Sequence, residues 1–152
     1  MKPDNLKILQ IKNHKKQFLS LLLMADEQEN MIDKYLERGE MFALYKDEVI
    51  SICVVTQESE DIFEIKNIAT IPQYRKQGYA KKLIHYILKL YQGKGQIMQV
   101  GTGETPAMLA FYQKCGFSPA HRVKNFFTDN YQEPIIEDGI KLVDMIYLQQ
   151  KL

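Results

Sequence analysis

The hexapeptide Arg75-Lys76-Gln77-Gly78-Tyr79-Ala80 brings together, within one turn, what an anion site needs: fixed positive charge, a glycine, and the start of a helix. Ala80, Leu83, Ile84, Ile87, Leu88 and Tyr91 follow at i, i+3, i+4, i+7, i+8 and i+11, a single apolar stripe of helical period. The spacing predicts a helix that starts near Lys76. Its first amides, those of about Gln77, Gly78, Tyr79 and Ala80, have no carbonyl four residues earlier to bond, and they sit at the positive end of the helix dipole. Gly78 and Ala80 carry almost no side chain, so a phosphate can approach the backbone, with Arg75, Lys76, Lys81 and Lys82 around it. Six Lys or Arg and no Asp or Glu occur over residues 72–103, in a chain of net charge +1. This local basicity suits a phosphorylated ligand rather than a polyanion. Neither G-x-G-x-x-G nor G-x-x-x-x-G-K-[ST] occurs, so dinucleotide and P-loop sites have no support.

The elements around the turn can be read from period and punctuation. Leu6, Ile8 and Ile11 fit a first strand, and Phe18, Leu21, Leu22 and Ala25 repeat at helical spacing. Asp26-x-x-Glu29 reads as a capping box for a second helix carrying Met31, Ile32, Tyr35 and Leu36 on one face and ending at Gly39. Residues 41–45 and 49–56 are expected to form a hairpin, and 62–71 a third strand that delivers the chain to Arg75. After the central helix, 96–100 reads as a short strand ending in Gly101-Thr102-Gly103. Thr105 then stands as N-cap, Pro106 as first helical residue, and Gly116 as the stop of a second apolar helix. Residues 117–123 and 140–147 are expected as further strands, joined by a long connection over 126–139. This order of elements indicates an α/β (α+β) chain with a mixed, mostly antiparallel sheet of six to seven strands and helices on both faces.

The second helix decides which ligand the turn serves. Ala107-Met108-Leu109-Ala110-Phe111-Tyr112-Gln113-Lys114-Cys115-Gly116-Phe117 closely resembles the Ala-Ile-x-x-Tyr-x-x-x-Gly-Phe helix of the GNAT N-acetyltransferases, and Arg75 to Ala80 fits that family's Arg/Gln-x-x-Gly-x-Gly/Ala pyrophosphate turn. The two motifs occur in the family's order and spacing, and the resemblance spans about residues 6–148. It implies a GNAT-like domain over 1–152 that uses acetyl-CoA as co-substrate and needs no metal. An Asn frequent at the start of the second helix in the family, where it contacts CoA, is replaced here by Glu104 or Thr105.

What the resemblance implies can be set against what the chemistry needs. A primary amine attacks a thioester only as the neutral base, so a group must accept its proton. Glu64, eleven residues before Arg75, stands where the family often places that base. Its alternative is a solvent-facing strand residue, since simple alternation puts Glu64, Lys66 and Ile68 on one face. Tyr112 matches the family's general acid, and a phenol of pKa about 10 is protonated at neutral pH and can donate to the departing thiolate. By its neighbours Phe111 and Phe117 alone, Tyr112 would be a core aromatic. The backbone of Ile68, Ala69 and Thr70 is expected to pair with the pantetheine arm, and Gln77, Gly78, Tyr79 and Ala80, with Arg75, Lys76 and Lys81, to hold the phosphates. Thr105 completes the candidate cofactor-binding set.

Composition bounds the rest. A chain of 152 residues, 45% hydrophobic, suits one domain with a sizeable core. Met1-Lys2-Pro3-Asp4-Asn5 leads into no apolar stretch of signal-peptide length, and a cytoplasmic protein without membrane partners is expected. Cys53 and Cys115 show no C-x-x-C spacing, and His14, His85 and His121 are scattered, so neither a disulfide framework nor a metal site is indicated. A nucleic-acid-binding role is disfavoured by the near-zero net charge. Asp129, Glu133, Glu137 and Asp138, interspersed with Phe126, Phe127 and Tyr131, suggest a small cationic amine as acceptor. Direct transfer in a ternary complex is expected, because neither cysteine has a His or Asn partner in a motif. A non-catalytic acyl-CoA-binding module and a protein N-acetyltransferase are the alternatives, and a homodimer is an expectation for this type of fold.

Overall fold

The computed structural model of the chain describes residues 5–152. Met1, Lys2, Pro3 and Asp4, read above as part of a lead-in without a signal sequence, lie outside the described residues. Strand β1 (Lys7–Ile11) is followed by a 3-10 turn (Lys15–Phe18), helix α1 (Leu19–Ala25) and a single-turn α2 (Glu29–Ile32). Strands β2 (Glu40–Tyr45), β3 (Val49–Gln57) and β4 (Ile62–Thr70) form an antiparallel meander. Then come α3 (Tyr79–Tyr91), β5 (Ile97–Gly103), α4 (Pro106–Lys114), β6 (Ser118–Val123), α5 (Phe126–Asn130), a small hairpin of β7 (Ile136–Glu137) and β8 (Ile140–Lys141), and β9 (Met145–Lys151). The seven-stranded sheet has the order β1-β2-β3-β4-β5-β9-β6. The β4–β5 pair is parallel and its other pairs are antiparallel.

Alternation sorts the strand residues into two cores. Phe42, Cys53, Ile65, Val100 and Leu148 pack beneath α3 and α4, against Leu83, Ile84, Ile87 and Tyr112. Met41, Ala43, Ile52, Val54 and Ala69 pack on the opposite face against Leu22, Ile32 and Tyr35 of the α1–α2 layer. That layer is tied down by a buried lysine: Lys15 Nζ donates to the carbonyls of Leu36, Glu37 and Gly39 at 3.0, 3.3 and 2.6 Å, closing the last turn after α2.

Two departures from the expected elements bear on function. In β4 the register against β3 passes from Val54↔Asn67 to Val55↔Ile65, so Lys66 is the extra residue of a bulge. Glu64, Lys66 and Ile68 therefore do not share a face by simple alternation. Ile68 packs towards α3, whereas Asn67 reaches the α1–α2 layer. A bulge bends its strand, and β4 and β5 separate here: their pairing runs from Ile62↔Ile97 to Ile65↔Val100 and stops, although β4 continues to Thr70 and β5 to Gly103. Strand β5 ends at Gly103, as expected, with Gly101 inside it. A Cβ on Gly101 would lie 2.5 Å from Met145 Sδ and 3.1 Å from Tyr147 Cε1, so glycine lets the β9 side chains fold across β5. The last strand begins at Met145 rather than near 140, because Ile140 and Lys141 pair with Ile136 and Glu137 instead.

Candidate active site

The separation of β4 from β5 exposes one edge of β4. Ile71 N donates to Ile50 O at 2.9 Å, so Ile71 and Ala69 direct their peptide groups to β3. Alternation then turns those of Ile68 and Thr70 to the opposite edge, where no strand pairs with them among the described residues. Ala69, expected to belong to the same binding edge, is thus a strand-pairing residue. The Thr70 carbonyl on this edge accepts from Arg75 Nε at 3.1 Å, whereas peptide groups of an edge that no strand pairs with can take up an extended, amide-bearing ligand as if it were a strand.

The edge runs directly into the basic turn. Pro72–Tyr74 forms a 3-10 turn, Lys76 has φ 61° and Gly78 φ 86°, and α3 begins at Tyr79, three residues later than the apolar stripe suggested. Lys82 N is the first amide bonded within the helix, to Gly78 O at 3.0 Å. The unbonded amides are accordingly those of Gly78, Tyr79, Ala80 and Lys81. Nothing lies within 4 Å of a Cβ built on Gly78, so its surroundings are open to a ligand, and its left-handed backbone is one that other residues adopt with strain. Lys76, Gln77 and Lys81 are exposed. Tyr79 packs edge-on against Tyr74, and Lys82 Nζ lies 5.8 Å from the Tyr79 ring centroid. Gln77 Nε2 is bonded to Gln73 O, and Arg75 turns back, its Nε donating to Thr70 O at 3.1 Å and its Nη2 meeting Met24 Sδ at 3.7 Å. Arg75 therefore closes the end of β4 on to α1.

Tyr112 lies on the α3–α4 side, 3% exposed, with its ring edge-on to Phe111 and Phe117 at 5.0 and 6.0 Å. The hydroxyl makes no hydrogen bond among the described residues and is not among the buried atoms left without a partner, so it is not sealed from solvent. Burial, aided by the nearby Cys53 and Cys115, pushes this phenol above its ordinary pKa, which keeps it a proton donor at neutral pH. Thr105 is fully buried and caps α4, its Oγ1 accepting from Met108 N at 3.2 Å, while Glu104 is bound to Arg122 at 2.8 Å. The Thr105 hydroxyl thus serves the helix, and the Glu104 carboxylate is held by Arg122.

Glu64 faces the other side of the sheet and is 4% exposed, which overturns its reading as a solvent-facing residue. Oε1 accepts from Gln99 Nε2 at 2.6 Å and Oε2 pairs with Lys66 Nζ at 2.9 Å. The carboxylate lines a cavity of about 300 Å³ with Asp26, Tyr35, Phe126, Tyr131 and Tyr147. A volume of that order holds a small molecule. Phe126 and Tyr131 come from the long connection as expected, but its acids do not: Asp129, Glu133 and Asp138 are exposed and Glu137 sits in the β7–β8 hairpin. In α5 the i, i+4 pair Phe126 and Asn130 turns inward, which carries Asp129 outward.

The acid that sequence reasoning missed is Asp26. Instead of capping α2, which starts behind Gln28, its carboxylate accepts from Tyr131 Oη at 2.6 Å and Tyr35 Oη at 3.1 Å. Tyr35 Oη accepts in turn from Asn67 Nδ2 at 3.1 Å, which leaves its own proton for Asp26. Burial raises the Asp26 pKa and outweighs the two phenols, which act to lower it. The phenols of Tyr35 and Tyr131 are likewise raised, chiefly by burial, and Tyr147 is pushed up to about 12 by burial and the charge of Glu64. Only a contact with Tyr131, remote in sequence, reveals Asp26 as a cavity residue, and no local pattern carries that information.

With this geometry in hand, the chain compares closely with proteins of one kind. Residues 37–119 match the family model of an acetyltransferase (GNAT) domain. The chain is 35% identical over 131 residues, 84% of each protein, to the uncharacterized N-acetyltransferase YvbK of Bacillus subtilis strain 168. Among solved structures it resembles a GNAT family acetyltransferase from Elizabethkingia anophelis with acetyl-CoA bound, at TM-score 0.92 and 36% identity over 99% of this chain and 100% of that one. A Bacillus subtilis acetyltransferase in complex with CoA matches at TM-score 0.88 and 33% identity over 97% and 99%.

Proposed function

Because this chain belongs to the GNAT acetyltransferase family and is an acetyl-CoA-dependent N-acyltransferase, we propose that residues 1–152 act as one domain that transfers acetyl directly to a small cationic amine in a ternary complex. The observation that carries this reading is the opening of the sheet beyond Ile65 and Val100. It leaves part of the β4 edge without a strand partner just before the Gly78 turn, which supports the cofactor part of the reading. Acetyl-CoA supplies the acetyl group in activated form, as a thioester.

Ile68 and Thr70 would pair with the pantetheine arm, and the amides of Gly78, Tyr79, Ala80 and Lys81, with Lys76, would hold the pyrophosphate. Tyr112 would protonate the departing thiolate, since burial keeps its phenol protonated at neutral pH. Cysteine nucleophiles are disfavoured further, since Cys53 and Cys115 are buried and burial raises both thiols. The acceptor is read as small because the cavity is about 300 Å³. It is read as cationic because Asp26 and Glu64 line that cavity among aromatic rings, while of the basic side chains there, Lys34, Arg38 and Lys66, the last two are already paired with Glu58 and Glu64. Glu64 is held there by Lys66 and Gln99.

The test is thermal unfolding with acetyl-CoA, CoA, ATP and NAD, followed by thiol release with a panel of amines. A ligand at about a hundred times its Kd stabilises by about 2.7 kcal/mol, a midpoint shift of several degrees. Shifts with the CoA compounds alone and turnover with cationic amines are expected. Equal shifts with ATP or NAD, or binding without turnover on any amine, would defeat the reading.

A further inference from the structure

The two carboxylates of the acceptor cavity are not equivalent. Glu64 is paired with a cation on its own strand. Asp26 has no cation within ion-pair distance among the described residues; two neutral phenols donate to it, one at each oxygen, and the Gln28 backbone and the Lys34 charge also favour its ionised form. A carboxylate has about four acceptor positions, so Asp26 retains some for a ligand. The rings of Tyr35, Tyr131 and Phe126 line the same cavity. Lys34, Arg38 and Lys66 line it too, but Arg38 is paired with Glu58 and Lys66 with Glu64, and Lys34 acts on Asp26 only through space. A carboxylate outside any ion pair among the described residues, set between aromatic walls, thus offers a binding place for an ammonium group.

We propose that Asp26, held by Tyr35 and Tyr131, binds the acceptor's ammonium group and takes its proton. The inference rests on the cationic-amine reading above. In the step, R-NH3+ passes one proton to Asp26, and the freed nitrogen lone pair forms the N–C bond at the acetyl carbonyl. The C–S bond breaks, with its electron pair leaving on sulfur. The amide nitrogen then loses one further proton, which balances the one taken up by the thiolate. The proton on Asp26 leaves to solvent, so each turnover releases one proton.

The groups that set the charge state of Asp26 come from several elements. Lys34, Tyr35 and Arg38 follow α2, Tyr131 follows α5, Glu64 and Lys66 lie on β4, Tyr147 lies on β9, and Glu27 is adjacent in the chain. Tyr35 and Tyr131 keep their protons at neutral pH, so Asp26 is the group of this network that exchanges charge. Its raised pKa makes it a better base than an exposed aspartate, consistent with the geometry.

Wild type and Asp26→Asn are compared by thiol release from acetyl-CoA with n-butylamine, 1,4-diaminobutane, tyramine and glucosamine, and with methoxyamine, which is neutral at pH 7. The variant is expected to lose about a hundredfold or more in kcat/KM on the cationic amines, and less than about threefold on methoxyamine. The acidic limb of the wild-type pH profile should disappear with it. Unchanged rates on the cationic amines, an equal loss on methoxyamine, or an acidic limb removed by Glu64→Gln and retained in Asp26→Asn would overturn the assignment. If wild type is stabilised by acetyl-CoA yet uses none of these amines, the acceptor reading falls and this proposal with it. Absence of that stabilisation would overturn the cofactor groove instead. For a variant that folds poorly, the carboxyl carbon of Asp26 can be titrated by NMR in the wild-type protein with CoA. A pKa at or below the ordinary 3.8 would sink the proposal.

Discussion

Tyr131 Oη donates a 2.6 Å hydrogen bond to Asp26 Oδ1, joining two residues 105 positions apart that line the same cavity. The contact is reinforced on both sides. Gln28 Nε2 donates to Asn130 O at 3.3 Å, and Gln132 N donates to Gln28 Oε1 at 3.2 Å. The segment after α5 is thus fastened to the α1–α2 connection by three hydrogen bonds, and that fastening, rather than a continuous core, gives the cavity its outer wall.

Removing the phenol should loosen this wall. Tyr131→Phe keeps the ring and deletes a hydrogen bond to a carboxylate, a loss of about 1–2 kcal/mol in a half-exposed place. The expected outcome is a Tm lower by a few degrees, a raised KM for amine acceptors and an unchanged stabilisation by acetyl-CoA. A change in acetyl-CoA affinity as large as the change in acceptor KM would show that the segment belongs to the cofactor groove instead.

Gly78 tests the phosphate turn. Its φ of 86° costs an L-residue about 1–2 kcal/mol, yet a Cβ there meets nothing within 4 Å. Gly78→Val should therefore fold with a modest loss of Tm, while its side chain stands where the unbonded amides face a ligand. Acetyl-CoA should no longer raise the midpoint of the variant. If the midpoint rises as in wild type, the amides of Gly78, Tyr79, Ala80 and Lys81 do not bind the pyrophosphate.

The parts of the site legible in the sequence are those with short-range signals. The stripe from Leu83 to Tyr91, the Thr105 cap with Pro106 behind it, and the Gly116 stop each follow from the spacing of a few residues, and each is present. Asp26 shows the limit. Asp26-x-x-Glu29 satisfies the capping-box pattern, but the chain at Asp26 is extended and α2 starts only at Glu29, so the carboxylate is free for Tyr131. The bulge at Lys66 is equally silent locally, because it exists only as a register against Val54 and Val55. Strand β9 runs past the expected 140–147, because pairing with β5 extends it through Gln149, Gln150 and Lys151, and no local pattern in those residues marks it.

Lys15 illustrates a charge retained in the interior by carbonyls. Lys15→Met preserves length and apolar stem but leaves the carbonyls of Leu36, Glu37 and Gly39 without their donor. A loss of about 2–4 kcal/mol is expected, against less than about 0.5 kcal/mol for Lys12→Met at an exposed position of the same segment. Denaturant midpoints at constant m-value measure it. Equal midpoints for the two variants would mean that water satisfies those carbonyls as well as the ammonium does.

The raised pKa of Asp26 has a defined sign in stability. Its ordinary value is 3.8, and burial makes ionisation less favourable in the folded protein than in the unfolded chain. Ionised Asp26 therefore opposes folding at neutral pH, and the opposition is relieved as pH falls through the raised folded value towards 3.8. Wild type should gain stability relative to Asp26→Asn on acidification across that window. Taking the difference between the two proteins removes the contribution of Glu58, Glu104 and Asp144, whose pKa values are lowered and which lose stability in acid. A wild type that falls behind the variant as the pH drops would mean that the two phenols outweigh burial.

Tyr112 separates chemistry from packing. Its ring is held by Phe111 and Phe117, while its hydroxyl has no hydrogen-bond partner among the described residues, so Tyr112→Phe should leave Tm almost unchanged. If the phenol supplies the proton to the thiolate, kcat should fall by about 10²-fold or more with acetyl-CoA binding retained. The leaving group offers a sharper check. A thioester of a more acidic thiol needs less help from a proton donor, so the variant should recover much of its rate on such a substrate. Equal losses on acidic and ordinary thioesters would instead make Tyr112 a residue that shapes the groove, and another group would have to protonate the sulfur.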